Sequence, residues 1–110
     1  MRLKVVVKWI DALESGKYVK GKGQLYGVNN EGFKTHCALG VLCEVAKKDG
    51  VTFEVDNHTN RLPLPVMEWA GLNYTDPRND AGISVITLND EDGTSFKGIA
   101  EFIEKNHESF

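Results

Sequence analysis

The sequence predicts an α+β fold: one small domain, three to four helices packed on a small antiparallel sheet around a buried central helix. Three observations carry this. First, Cys37-Ala38-Leu39-Gly40-Val41-Leu42-Cys43-Glu44-Val45-Ala46 is apolar on nearly every side when wound as a helix, and such a helix lies inside. Second, helical apolar spacing recurs near both ends of the chain, at Val5, Val6, Trp9, Ile10 and Leu13 and again at Phe96, Ile99, Ala100 and Ile103. Third, short β-prone runs alternate with turn residues between these helices.

The first helix is expected over residues 3–15, with Asp11, Glu14 and Lys8 on its polar face and Gly16 as its stop. Residues 15–24 hold three glycines and three lysines and read as a cationic loop. Asn29-Asn30-Glu31-Gly32 lies between the runs 24–28 and 33–36, which is a hairpin signal. The second run delivers the chain to the central helix at Cys37, with His36 at the entrance. Lys47 and Lys48 followed by Gly50 end that helix.

Val51 to Val55 alternates and is β-branched, so a strand is expected there. Residues 56–61 form a polar loop. Residues 62–72 read as a short helix with proline in its first turn and Gly71 at its end. Residues 73–82 form the longest loop. Ile83 to Leu88 reads as another strand, 89–93 as a turn, and Thr94 or Ser95 as the cap of the last helix.

Length 110 fits a single domain, residues 1–110. The 41% hydrophobic and 26% charged composition is that of a globular chain able to bury a core. No apolar run has the length of a membrane span, and the first residues lack the pattern of a signal peptide, so a cytoplasmic protein without membrane association is expected. Cys37 and Cys43 are six residues apart, about 240° around a helix, and are expected to be free thiols.

The net charge of -3 argues against general nucleic-acid binding. The charge is uneven: residues 1–36 carry seven Lys/Arg against three acids, the rest six against thirteen. An anion would therefore look to the first third. There, glycines let backbone N–H groups converge into an anion nest, and a helix N-terminus strengthens it. The spacing is neither that of a P-loop nor of a dinucleotide-binding fingerprint. The alternative is a solvated connector.

No metal site is expected: His36, Cys37 and Cys43 lack a matching second pair, and Asp90-Glu91-Asp92-Gly93 has Ser95 where an EF-hand needs glycine. Cys37 beside His36 offers a nucleophile, with His58 or His107 as base, as one alternative. Ligand binding is the leading expectation. Lys17, Lys20 and Lys22 would meet a phosphate. Tyr18, or Tyr26, could stack on a base. His36 lies at the helix entrance, and Asn89 could read a polar edge.

One resemblance adds to this. Trp9-x-x-Ala12-Leu13-x-Ser15-Gly16-Lys17-Tyr18, Cys37-x-Leu39-Gly40-Val41-Leu42-Cys43, Leu88-Asn89-Asp90 and Ser95-Phe96-x-x-Ile99-Ala100 together resemble a family of small uncharacterised proteins of bacteriophages, prophages and some bacteria. Members of that family usually carry two adjacent cysteines where this chain has Cys37-Ala38. The resemblance transfers no catalytic residue. It implies a non-enzymatic phage-type protein that needs no cofactor and binds a small anionic ligand, such as a cyclic or ADP-ribose-type nucleotide used in host antiviral signalling. A homodimer with a shared site would suit so small a chain. The alternative is a protein-interaction module that blocks a host factor through Asp90, Glu91 and Asp92.

Overall fold

The computed structural model describes residues 1–55 and 59–110. Asp56, Asn57 and His58, in the expected polar loop, lie outside the described residues. Among the described residues the helices are α1 (Leu3–Glu14), α2 (Ala38–Lys48), α3 (Leu64–Ala70), α4 (Val85–Asp90) and α5 (Phe96–Asn106), with a 3-10 turn at His107–Ser109. The strands are β1 (Val19–Lys20), β2 (Tyr26–Val28) and β3 (Lys34–His36). The α+β class stands.

Helix α2 is the interior element its composition demands. Ala38 to Cys43, Val45 and Ala46 are all buried, and α1, α3, α4 and β3 pack around them. Cys37 caps it, its Sγ accepting the Gly40 N–H at 3.4 Å. Gly40 is there for space. A Cβ at that position would overlap the carbonyl of Leu25, whose chain crosses the first turn of α2. Helix α1 buries Val5, Val6, Trp9 and Leu13 against α2 and α5. Trp9 is fully buried, and its indole N–H donates to the Ala38 carbonyl at 2.9 Å, which satisfies the one polar atom the ring carries inside. Ser95, not Thr94, caps α5, whose Ile99, Ala100 and Ile103 face the core.

The sheet departs from the expected antiparallel arrangement. Its order is β1-β3-β2: β2 and β3 form the expected antiparallel hairpin, but β1 joins β3 in parallel. The cationic loop thus contributes a short strand, and Gly21 N–H donates to the His36 carbonyl at 2.9 Å. The hairpin turn is built as its residues suggest. Asn29 Oδ1 accepts the N–H groups of Glu31 and Phe33, and Gly32 takes a φ of 84° that favours glycine.

Two expected strands are not strands. Residues 51–55 join no strand among the described residues. Val51, Phe53 and Val55 still turn toward the core while Thr52 and Glu54 turn out. The run 83–88 becomes α4, because Ser84 accepts the Thr87 N–H at 3.2 Å and Asp76 Oδ1 accepts the Ile86 N–H at 3.0 Å. Two otherwise orphaned helix-start donors are satisfied, and Val85 is fully buried. The polar loop before it is also ordered by hydrogen bonds. Asn79 repeats the Asn29 turn, its Oδ1 accepting from Ala81 and Ile83.

Candidate functional site

Paired residues on neighbouring strands share a face. The register Tyr26↔His36 and Val28↔Lys34 therefore puts these four side chains together. Across from them α2 presents Glu44 and Lys47, one helical turn apart. Between sheet and helix lies a cleft of about 400 Å³, lined by Tyr26, Lys34, His36, Glu44 and Lys47 among others.

His36 is the floor of this cleft. It is 8% exposed and held edge to face by Tyr18, with ring centres 5.0 Å apart, and by Tyr26, 5.2 Å apart. Its Nε2 faces Glu44 Oε1 at 3.6 Å, and its Nδ1 is buried without a partner. The Tyr26 hydroxyl is likewise buried, beside Glu44 and Cys43 but without a well-formed hydrogen bond. These are the two orphaned buried side-chain polar atoms among the described residues, and both belong to residues lining this cleft. Leaving such an atom unpaired costs about 1–3 kcal/mol, so two together need a reason.

Lys47 bridges the cleft. Its ammonium is 3.3 Å from Glu44 and 5.0 Å from the centre of the Tyr26 ring. Burial lowers the His36 pKa, Glu44 works against that, and Lys47 and Lys34 add to it. The imidazole is therefore neutral at neutral pH. Burial, with the nearby Cys43 and Glu44, pushes the Tyr26 phenol well above its usual range. Two cationic ammoniums against one carboxylate leave the cleft with a positive balance.

The six residues expected to bind ligand are divided. His36 lines this cleft, and Tyr18 packs against its ring without lining the cleft. Lys17, with Tyr18 and Lys48, lines a separate cleft of about 400 Å³ between the ends of α1 and α2, beside the 2.7 Å Lys8–Asp49 ion pair. Lys20 and Asn89 meet each other: the Lys20 ammonium donates to the Asn89 carbonyl at 2.7 Å. Lys22 is exposed.

Asn89 is 1% exposed, and its amide is spent internally. Oδ1 accepts the Ala38 N–H at 3.1 Å, while Nδ2 donates to the Gly21 carbonyl at 2.9 Å and to Asp90 Oδ1 at 2.7 Å. The glycine loop and the front of α2 do lie side by side, as the sequence suggests. The space between them is filled by Asn89, and Cys37 takes the Gly40 N–H. Lys34, Glu44 and Lys47 are the charged cleft residues that sequence reasoning missed. The hairpin register implied by the Asn29 turn was the available signal for Lys34. The packing of α2 on the sheet carried none.

The Cys37 alternative finds little chemistry. Burial raises its pKa, so the thiol is neutral and occupied as a cap. Cys43 is pushed up to about 12 by burial, with Cys37 and Glu44 adding to it. Both cysteines are free. His107 lies at the end of α5, and His58 is outside the described residues. No helix among the described residues is long and apolar enough to cross a membrane. No cluster of metal-ligating side chains is found among them either.

Fold and cleft together define a small α+β domain whose sheet and central helix enclose a tyrosine–histidine floor under a lysine rim. The chain belongs to the family described as "Domain of unknown function (DUF8296)", whose model matches residues 1–107. No curated protein and no solved structure matches it.

Proposed function

We propose that the protein binds a small anionic ligand in the cleft between the β2–β3 face and α2. The observation that carries this is the pair of orphaned buried atoms, His36 Nδ1 and Tyr26 Oη, in residues lining a cleft with two lysines. With Nε2–H directed at Glu44, Nδ1 is an acceptor and calls for a donor. Lys34 and Lys47 call for an anionic group. A nucleotide offers both, a phosphate for the lysines and a hydroxyl or amino group for the imidazole. In this reading His36 keeps its expected part, Tyr26 stands in for Tyr18, and Lys34 and Lys47 replace Lys17, Lys20 and Lys22 as the phosphate contacts.

Binding without turnover is the simplest use of such a site, because the histidine is wedged and the thiols are buried. The phage resemblance then suggests the role: a cytoplasmic protein that sequesters a cyclic or ADP-ribose-type nucleotide used as an antiviral signal. The test is thermal unfolding with a panel of cyclic nucleotides, dinucleotides and ADP-ribose derivatives. A true ligand at 100 times its Kd stabilises by about 2.7 kcal/mol, which raises Tm by roughly 10 °C or more in a domain this size. Lys34→Ala with Lys47→Ala should remove the shift. A panel in which no anionic nucleotide raises Tm sinks the proposal.

A further inference from the structure

We infer that the outer face of α1 is a self-docking surface that pairs with α1 of a second copy in antiparallel fashion. Leu3 is 66% exposed and Val7 51%, one helical turn apart, with the half-buried Ile10 continuing the seam. Lys4 lines one shallow groove along this seam, and Asp11 and Glu14 line another.

The charges name the partner. Lys4 stands in the first turn of α1, and Asp11 and Glu14 stand in the last, with no acid at the start and no base at the end. Within one chain this order opposes the helix dipole, which favours acids at the start and bases at the end. Among the described residues none of the three makes an ion pair. A second α1 running the other way reverses the mismatch. Its Asp11 carboxylate meets this copy's Lys4, and the two dipoles cancel.

The spacing fits a two-fold axis. Lys4 and Asp11 are seven residues apart, so they stack on one flank about 10.5 Å from each other. The midpoint falls beside Val7. An axis there sets Val7 on its own copy and places Lys4 over Asp11 of the partner, twice per dimer. The face of a 12-residue helix is smaller than the roughly 800 Å² per partner of a standard interface. The dimer is therefore weak, with a Kd of about 10 μM to 1 mM.

Sedimentation equilibrium from about 10 μM to 1 mM tests this over the range such an interface commands. Wild type should rise from monomer toward dimer. Lys4→Glu alone and Asp11→Lys alone each replace two attractive contacts by two repulsive ones, and each should weaken the dimer at least about tenfold. Both positions are exposed, so circular dichroism should find both variants folded. Mixed in equal amounts, the two variants bring opposite charges together again at both contacts of the mixed dimer, and association should return. A wild type that stays monomeric throughout, or a dimer indifferent to these changes and to mixing, overturns the inference.

Discussion

The residue with most to disclose is His36. A histidine 8% exposed between two tyrosines pays to become charged, and burial lowers its pKa from the ordinary value. As pH falls through about 6.5 the unfolded chain takes up the proton first. Stability is therefore complete above that pH and declines below it, until the folded protein also protonates. The urea midpoint should drop between pH 7.5 and pH 5, and His36→Gln should remove part of that drop. An unchanged pH profile in the variant would mean that the imidazole titrates alike in both states. His36 is legible in the sequence as a residue at a helix entrance. Its burial is not, because that depends on Tyr18, just ahead of β1, and Tyr26, on β2, arriving from other parts of the chain.

At the scale of elements, Asn89 decides how three segments meet. Its amide ties the front of α2 to the glycine loop from the end of α4. The sequence places an asparagine near that junction but reads it as a ligand contact. A side chain whose donors and acceptor are all used inside cannot serve that purpose. Asn89→Ala should orphan the Ala38 N–H and the Gly21 carbonyl, at about 1–3 kcal/mol each. Thermal unfolding should record a loss of roughly 8–24 °C, while Lys22→Ala at an exposed position changes Tm little. Equal Tm values for the two variants would dismiss the latch. The misread elements share one cause. Run 83–88 is β-branched, yet Ser84 and Asp76 satisfy its first donors as a helix, a contest that propensity does not see. Run 51–55 alternates correctly between core and solvent, but alternation reports burial, not a pairing partner. The Asn29 turn is legible from its residues. Its repeat at Asn79 is not, because a β-prone run follows it at 83–88 but none precedes it.

For the whole molecule, the central helix is both the most legible feature and the one on which the others depend. Its apolar circumference can be read directly, because a helix greasy on all sides has nowhere to go but inside. The cleft cannot, because Lys34 and Lys47 become neighbours only when α2 packs on the sheet face. That centrality makes Cys37 and Cys43 reporters of the fold. They are 4% and 0% exposed, and burial raises both pKa values. Native thiols at pH 8 should therefore resist an alkylating reagent. Since α1, α3, α4 and β3 all rest on α2, exposing either thiol requires dismantling most of the core. Both should label at one slow rate, and that rate should rise with urea as steeply as global unfolding does, an m-value of about 1–3 kcal/mol/M for a domain this size. Mass spectrometry of each cysteine peptide over time reads both rates at once. Cys37 labelling well ahead of Cys43, with little urea dependence, would show the first turn of α2 opening by itself, and the Asn89 latch would then not be what holds it.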